Sequence, residues 1–363
     1  MAHALIVGAG AIGRGYLPWE LSSFALTFLD SSDRLVSSLG AGGYSSFMAK
    51  SDGLEALVVD RAVFTANVSD LDLGGFDVAF VCVGPRNLSR LSPALGRLTC
   101  PVFSLENDSA TVDELKRILG KEDIYFGVPD VITSSTASPE SLSRDPNALH
   151  TEQGVLYLED GPAVSPSLKA VLPNVHWCDK ARMVREWDAK LFIHNTPHCI
   201  AAFFGHLHGC TYVHEALAIE SVEMCLDGVI DEVLQTLKIT TGHDHSFLEW
   251  YAAKELSRFR NTLLYDPVSR VAREPLRKMA PDGRLLGILR MALGAGIWPE
   301  SLAAGFVAGL QYSAPHDQDA RIMSCVEHSG VEAFLRFVLK VDPRSVEGQL
   351  IARAYASRRA PHG

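Results

Sequence analysis

A glycine-rich turn directly after a short apolar segment limits the folds open to the N-terminal half of this 363-residue chain. Residues 4–7 are apolar and run into the pattern G-x-G-x-x-G. The first glycine of this pattern permits a tight turn, the second lets the backbone approach a pyrophosphate, and the third lets helix and strand pack closely. The residues that we expect to bind the pyrophosphate of a dinucleotide are Gly8, Gly10, Ala11, Ile12 and Gly13.

A carboxylate stands where such a turn needs a ribose ligand. The next strand-like run, residues 26–29, ends at Asp30, 22 residues after Gly8. A carboxylate there can accept hydrogen bonds from the adenosine ribose and repels a 2′-phosphate, so the pattern favours NAD over NADP. The alternative role for Asp30 is to cap the helix that follows it.

Further apolar runs predict more buried strands, at residues 77–83, 102–105, 125–128 and 155–158. Ligands of open α/β sheets gather at the carboxyl ends of the strands. We therefore expect Gly84 to line the cofactor cleft and Asn107 to reach its nicotinamide end, with a solvent-facing loop asparagine as the alternative for Asn107. Residues 133–150 are rich in Ser, Thr, Pro and Asp and predict a loop.

Helical periodicity replaces the strand pattern from about residue 188 onward. The sequence thus predicts an α/β N-terminal domain of the Rossmann type, with a mostly parallel sheet, followed by an all-α C-terminal domain. We place the NAD-binding domain at residues 1–187 and the helical substrate domain, which holds the catalytic residues, at residues 188–363.

Composition excludes several other classes of protein. The net charge of −10 argues against nucleic acid as the main partner, and no stretch reaches the length of a membrane span. Seven scattered cysteines without a CxxC pair are typical of a reducing compartment and argue against structural zinc. We expect a cytoplasmic protein, a monomer or small homo-oligomer, that acts on a small molecule.

Three polar residues in the run DAKLFIHNTPH indicate the chemistry. Lys190, Asn195 and His198 are spaced K-x4-N-x2-H and would span about 140° of a helix that turns about 100° per residue. Oxidation of an alcohol needs a base for the hydroxyl proton and donors around the nascent carbonyl oxygen. These side chains can supply both without a metal. The alternatives are a surface lysine and a packed core histidine.

A basic block follows in an otherwise acidic chain. Six cations lie within 21 residues: Arg258, Arg260, Arg270, Arg273, Arg277 and Lys278. Guanidinium groups bind phosphate and carboxylate bidentately, so the block fits an anionic substrate. A solvated helix face with salt bridges to Asp266 and Glu274 is the alternative.

The order of these motifs resembles that of a known family. The GAGAIGRG opening, Glu106-Asn107, the K-x4-N-x2-H signature, the RFRN…DPVSRVAREPLRK block and a SLAAGF…HDQDA tail occur in this order. The chain resembles the polyol-specific long-chain dehydrogenases, and among them the mannitol-1-phosphate 5-dehydrogenases. The resemblance covers nearly the full length.

The resemblance implies a zinc-independent, NAD-linked oxidoreductase of mannitol metabolism. Lys190 would be the base, Asn107 and Asn195 would hold the reacting oxygen, and His198 would orient the substrate hydroxyls. Arg270 and Lys278 match positions that contact the distal part of the substrate, and Arg273 and Arg277 are further candidates for binding phosphate. The implied reaction interconverts D-mannitol 1-phosphate and D-fructose 6-phosphate by hydride transfer at C5.

Other functions stay open at this point. One is a dehydrogenase or reductase of an unphosphorylated polyol or a sugar acid. Another is metal chemistry at His206-x-His208 or His243-x-His245, and a third is a non-catalytic NAD sensor. Two residues depart from the resemblance: Asp130 stands without the arginine that usually follows it, and Pro197 interrupts the signature. Because proline cannot donate a helix hydrogen bond, we expect a kink or a new helix start near Thr196.

Overall fold

The chain divides into two compact units. The structure, a computed structural model, describes residues 1–50 and 52–359. The first unit comprises Met1–Trp187 together with the short segment Leu263–Tyr265, and the second comprises Asp188–Thr262 and Asp266–Gly363. The segment Leu263–Tyr265 thus belongs to the first unit, although its neighbours on both sides belong to the second.

The first unit holds the strands. They are β1 (His3–Val7), β2 (Ala25–Leu29), β3 (Tyr44–Lys50), β4 (Gly53–Val59), β5 (Val63–Thr65), β6 (Val78–Val81), β7 (Val102–Ser104), β8 (Ile124–Asp130), β9 (Leu149–Glu152), β10 (Val155–Glu159) and β11 (His176–Cys178). An eight-stranded sheet has the order β11-β10-β8-β7-β6-β1-β2-β5, and a three-stranded sheet has the order β4-β3-β9.

Six neighbouring strands of the large sheet, from β5 through β2, β1, β6 and β7 to β8, pair in parallel. This is the strand order of a dinucleotide-binding fold, and it reverses direction between β1 and β6. β10 joins the sheet antiparallel to β8. β1 and β6 are short apolar runs with almost wholly buried side chains, because helices and loops cover both faces of a parallel sheet.

Short helices surround this sheet. A π-helical turn, Ala11–Tyr16, follows the glycine-rich turn and leads into α1 (Leu17–Glu20). The others in the first unit are α2 (Asp33–Gly40), α3 (Thr111–Leu119), α4 (Pro139–Arg144) and α5 (Pro166–Val171), with 3-10 turns at Val68–Asp70, Pro85–Arg90 and Pro93–Arg97. α6 (Lys180–Asp188) leads the chain into the second unit.

The prediction of a loop over residues 133–150 is wrong, because α4 and the start of β9 lie within it. β9 is polar in sequence, yet His150 and Thr151 are wholly buried. Hydrogen bonds compensate their burial: Thr151 shares a hydroxyl hydrogen bond of 2.8 Å with Thr133, and His150 Nδ1 lies 2.8 Å from the Leu263 carbonyl oxygen. The polar composition of this region therefore did not indicate exposure.

In its described residues the second unit contains helices joined by turns and loops, and its only β-type pairing is an isolated bridge between Tyr212 and Pro267. Its helices are α7 (Asn195–Leu207), α8 (Val213–Leu217), α9 (Glu220–Thr240), α10 (His245–Phe259), α11 (Val268–Ala272), α12 (Pro275–Lys278), α13 (Leu286–Gly294), α14 (Glu300–Leu310), α15 (Gln318–Met323), α16 (Cys325–Ser329), α17 (Val331–Phe337) and α18 (Val346–Arg359). The predicted fold class is confirmed.

α7 forms the centre of the second unit and contacts α8, α9, α11 and α14. Its residues from Asn195 to Gly205 are all buried. Close approach of α14 depends on small residues, since a Cβ added at Gly305 would lie 2.5 Å from the Ile200 side chain and one at Gly309 would lie 2.8 Å from Phe203. The helix that follows Lys190 is thus fixed by packing on several sides.

Candidate active site

The three glycines of the first turn serve three different needs. Gly8 has a φ of 104°, and a Cβ there would lie 2.6 Å from the Cys82 carbonyl oxygen at the end of β6. A Cβ at Gly13 would lie 2.0 Å from the Gly8 carbonyl oxygen. Around Gly10 there is no protein atom within 4 Å of the added Cβ. Gly8 and Gly13 are therefore required by the fold itself, whereas Gly10 keeps backbone open to a ligand.

Asp30 is tied to this turn. Its Oδ2 accepts a hydrogen bond of 2.8 Å from the Ala9 N–H, and its Oδ1 accepts one of 2.9 Å from the Ser32 N–H. The alternative role of helix cap is wrong, because the Ser32 hydroxyl caps α2 by accepting from the Leu35 N–H. The Asp30 carboxylate therefore stabilises the glycine-rich turn and lies directly beside it.

A cavity of about 460 Å³ opens at this end of the sheet. Gly8, Gly10, Asp30, Ser31 and Cys82 are among the residues that line it. It lies beside the carboxyl ends of β1, β2 and β6, at the point where the strand order reverses, which is where such folds bind nucleotides. Ala11 and Ile12 follow in the first π-helical turn, whose free N–H groups and positive dipole end suit a pyrophosphate.

The turn after β6 is held by a buried acid. Gly84 has a φ of 90°, and its N–H donates to both carboxylate oxygens of Glu106, at 2.9 and 3.1 Å. Glu106 is only 5% exposed, while the next residue, Asn107, is exposed. The sequence indicated Glu106 only as part of the Glu106-Asn107 motif, and no role was predicted for it.

The K-x4-N-x2-H residues lie together on one helical run of the second unit. Lys190 is in the π-helical turn Ala189–His194, and Asn195 and His198 are in the first turn of α7. All three side chains are buried, at 4%, 6% and 7% exposure. The Asn195 amide nitrogen is buried without a hydrogen-bond partner among the described residues. A buried amide donor without an acceptor is costly and calls for a ligand.

Pro197 explains the change of helix type. The residue cannot donate a backbone hydrogen bond, and it lies in the first turn of α7, where such bonds are least needed. α7 begins at Asn195, one residue before the new start that the sequence predicts. The π turn ends at His194, three residues before the proline, and it widens the helix at Lys190; such turns recur at functional sites.

A buried carboxylate lies beside His198. His198 Nε2 lies 3.1 Å from Asp266 Oδ2, and Arg270 contacts the other oxygen of this carboxylate at 2.6 Å. Phe259 stacks on the imidazole with a ring separation of 5.1 Å. Burial would raise the pKa of Asp266, but Arg270 and His198 outweigh it and lower that pKa. Asp266 is therefore an anion beside the ring, and its charge favours the tautomer protonated at Nε2, although Oδ2 accepts no hydrogen bond from the described residues.

A second histidine and carboxylate pair lies beside the first. His194 Nδ1 hydrogen-bonds Glu255, whose other oxygen accepts from Arg258. The rings of His194 and His198 are 5.3 Å apart. Burial lowers the pKa of His194 to about 4, although the Glu255 carboxylate acts to raise it. His194 is therefore neutral at physiological pH. Sequence reasoning missed this pair, whose members are separated by 61 residues.

Three cations of the basic block that precede α12 form salt bridges. Arg258 pairs with Glu255, Arg260 with Glu223, and Arg270 with Asp266. The alternative of internal salt bridges to Asp266 and Glu274 therefore holds for Arg270, and it also holds for Arg277, which pairs with Glu274.

The other half lies around α12. Arg273 is exposed, Arg277 pairs with Glu274 at 2.8 Å, and the Lys278 ammonium donates to the Arg273 carbonyl oxygen. Lys278 is only 3% exposed. Its pKa lies well below the ordinary value because of burial and of the nearby Arg284 and Arg277.

The histidine pairs that suggested metal chemistry have other contacts. His243 Nε2 lies 2.9 Å from Asp188, and His206 Nε2 accepts from the Ser313 N–H at 3.3 Å. In the part of the chain that the structure describes, neither pair belongs to a group of three or more residues arranged to hold a metal ion. No helix of residues 1–50 and 52–359 has the length and apolar character to cross a membrane.

Residues 185–334 match the mannitol dehydrogenase C-terminal domain. This part of the chain is similar to that family. The matching range contains the signature lysine, the two histidine and carboxylate pairs and the whole basic block. The predicted relationship to polyol dehydrogenases is confirmed.

Known relatives extend the similarity to the full length. The chain is 28% identical to a mannitol-1-phosphate 5-dehydrogenase of Exiguobacterium sp. strain AT1b, over 97% of this chain and 96% of the relative. It is 26% identical to an enzyme of the same name from Caldanaerobacter subterraneus subsp. tengcongensis, over 98% of each chain. The predicted enzyme class, a dehydrogenase, is confirmed by these relatives.

A solved structure shares the fold. The ternary complex of Pseudomonas fluorescens mannitol 2-dehydrogenase with NAD and D-mannitol superimposes with a TM-score of 0.79 and 15% identity, over 99% of this chain and 92% of that chain. This similarity supports the architecture of an α/β unit followed by a helical one.

Proposed function

We propose that the protein is an NAD-dependent dehydrogenase that interconverts D-mannitol 1-phosphate and D-fructose 6-phosphate. The observation that carries the proposal is the buried Asn195 amide nitrogen, which has no partner among the described residues and adjoins the helical turn of the buried Lys190. A hydroxyl that is oxidised to a carbonyl needs a base for its proton and a hydrogen-bond donor for its oxygen. The Lys190 amine could be the base, and the Asn195 amide N–H could be the donor.

The cavity at the glycine turn fits a dinucleotide. Gly10 leaves open space for a pyrophosphate, and the Asp30 carboxylate stands where the adenosine ribose would bind. The same carboxylate would repel the extra phosphate of NADP, which supports NAD. Gly84 and Asn107 would border the nicotinamide end of this site. Bound NAD would supply the acceptor for the hydride that leaves the substrate.

The residues of the second unit would handle the proton and the oxygen. We assign the removal of the hydroxyl proton to Lys190, because a buried amine is more readily kept neutral than an exposed one. Asn195 would donate to the oxygen as its charge grows. His198, held by Asp266, would orient a neighbouring hydroxyl. These roles need no metal ion.

The substrate phosphate would bind at the basic segment around α12. We assign it to Arg273, Arg277 and Lys278, since these have no carboxylate partner other than Glu274 among the described residues. Arg270 has its guanidinium bound to Asp266, so we give it a role in holding the site. The cytoplasmic location and the oligomeric state stay predictions.

The first test is a substrate panel. We expect NADH to be oxidised with fructose 6-phosphate but not with fructose or glucuronate, and the activity to vanish in Lys190→Ala. Lys238→Ala removes a surface lysine that pairs with Glu249 and serves as the matched control. Turnover of fructose or of a uronate instead would identify a dehydrogenase of an unphosphorylated polyol or a sugar acid. NADH binding without turnover of any sugar would indicate a sensor.

The cofactor assignment has a separate test. We expect a strong preference for NADH over NADPH in the wild type. Asp30→Asn keeps an acceptor for the Ala9 N–H but loses the charge, so the preference should shrink by about 10- to 100-fold. Equal use of both cofactors by the wild type would contradict the assignment.

A further inference from the structure

Arg284 is a buried arginine in the turn between α12 and α13. It is 8% exposed. Its carbonyl oxygen accepts a hydrogen bond of 2.7 Å from the Thr196 hydroxyl, and the next residue, Leu285, donates its N–H to the Lys278 carbonyl oxygen at 3.1 Å. Thr196 adjoins Asn195 at the start of α7. The backbone of this turn is therefore hydrogen-bonded both to Thr196 in α7 and to Lys278 in α12.

The Arg284 guanidinium is buried but has no partner among the described residues. No carboxylate or hydrogen-bond acceptor of the described residues binds it. In contrast, Arg270 pairs with Asp266, and Arg14 donates to two carbonyl oxygens. Burial of a guanidinium without a counter-charge is costly, so proteins rarely retain it without a ligand.

Its electrostatic neighbours make the surroundings more positive. They are Lys278, Arg277, Cys199 and Glu274. Burial lowers the pKa of Arg284 to about 10, so the group keeps its charge at neutral pH. Burial also raises the pKa of the Cys199 thiol, although the nearby cations oppose this effect. Glu274 is the acid of this group, and Arg277 already neutralises it at 2.8 Å.

We propose that Arg284, Lys278 and Arg277 form a binding site for a phosphate monoester dianion. The proposal deepens the proposed function and rests on it for the identity of the substrate. A phosphate carries about −1.5 to −2 charges at neutral pH and three acceptor oxygens. When Lys278 is protonated, the three cations carry three positive charges, and Glu274 offsets one of them. A phosphate dianion would offset the remaining two charges, whereas a carboxylate would offset only one.

The site predicts an unusual response to removal of the arginine. If Arg284 awaits a ligand, Arg284→Met relieves an uncompensated charge and should not destabilise the protein in phosphate-free buffer. We expect its melting temperature there to equal or exceed that of the wild type by a few degrees, where about 2–4 °C corresponds to one kcal/mol for a domain of this size. An arginine with a structural role would give a clear drop instead.

The experiment measures binding of inorganic phosphate by calorimetry and by the rise in melting temperature, at constant ionic strength. We expect Arg284→Met to weaken phosphate binding at least about tenfold and to abolish the thermal shift. Arg290→Met is the control, because Arg290 lies in the next helix and pairs with Glu347. Arg284→Lys should retain part of the binding and provides a second variant if the first does not fold.

Several outcomes would overturn the site. They are a wild type that does not bind phosphate, and an Arg284→Met protein that binds it within about threefold of the wild type. Stronger binding of glucuronate than of phosphate would also overturn it in favour of a carboxylate. A wild type that binds phosphate at Arg284 but reduces no sugar phosphate would leave the site intact and contradict the proposed reaction alone.

Discussion

His198 Nε2 lies 3.1 Å from the Asp266 carboxylate in the interior of the helical unit. An anion beside Nε2 favours the tautomer protonated there, and Nδ1 of that tautomer can only accept a hydrogen bond. No residue in the described part of the chain hydrogen-bonds Nδ1. In the proposed reaction His198 would accept from a substrate hydroxyl, and Asp266 would be a positioning residue.

Asp266→Asn should therefore impair catalysis through His198. We expect kcat/KM for fructose 6-phosphate to fall by about 10- to 100-fold, the loss for one buried contact with a charged group. NADH affinity should not change. In a His198→Ala background, Asp266→Asn should lower kcat/KM little further, because the side chain through which Asp266 acts is absent. Equal losses in the two backgrounds would refute an action through His198, and Glu223→Gln provides a surface control.

Two glycines of the first turn should respond in opposite ways to alanine. Gly10→Ala finds no atom within 4 Å, so the fold should be as stable as the wild type while NADH binding weakens about tenfold or more. Gly13→Ala meets a backbone carbonyl at 2.0 Å and should lower the free energy of unfolding by about 3 kcal/mol or more. Thermal unfolding and NADH fluorescence titrations would separate these effects. Normal NADH binding by Gly10→Ala would mean that the cofactor does not approach this turn.

Lys278 should couple anion binding to proton uptake. Its pKa in the free protein is well below the ordinary value, chiefly because of burial, and a bound anion would raise it again. Anion affinity should therefore fall as the pH rises. Sulfate is the suitable probe, since it does not titrate near neutral pH, and Lys278→Met should remove the slope. A sulfate affinity independent of pH between about 6 and 9 would contradict this coupling.

The buried His194 should make the protein sensitive to mild acid. Its folded-state pKa of about 4 lies below the value in an unfolded chain, so the unfolded state binds the proton first as the pH falls. The contribution of His194 to the free energy of unfolding is fully present above about pH 6.5 and decreases as the pH falls toward about 4. We expect a loss of about 2 kcal/mol in the free energy of unfolding between pH 7 and pH 5. His194→Gln should reduce this loss, which urea unfolding at both pH values would measure.

The N-terminal fold could be predicted because its signals are local. The turn glycines, Asp30 and the apolar runs of β1, β2 and β6 lie within short segments whose pattern shows the structure directly. The smaller sheet was not predicted. β9 pairs with β3 about a hundred residues earlier, and its buried polar residues conceal the strand. Pairing over such a distance leaves no periodic trace in either segment.

The candidate site was predicted only in part for a similar reason. Lys190, Asn195 and His198 share one motif, and the basic block is a visible run of charge. The partners Glu255 and Asp266 come from other parts of the chain, and the sequence indicated Asp266 only as a salt-bridge partner of the basic block. Arg284 is a single cation in a turn, so its burial without a counter-charge becomes evident only in three dimensions.

The segment Leu263–Tyr265 has a consequence for dissecting the chain. The Tyr265 carbonyl oxygen accepts from the Ser134 hydroxyl at 2.5 Å, and the Leu263 carbonyl oxygen lies 2.8 Å from His150 Nδ1. An expressed fragment of residues 1–187 would therefore expose buried polar groups that this segment normally satisfies. The two halves are not interchangeable modules, and exchange of either half between relatives would have to transfer these three residues with the first.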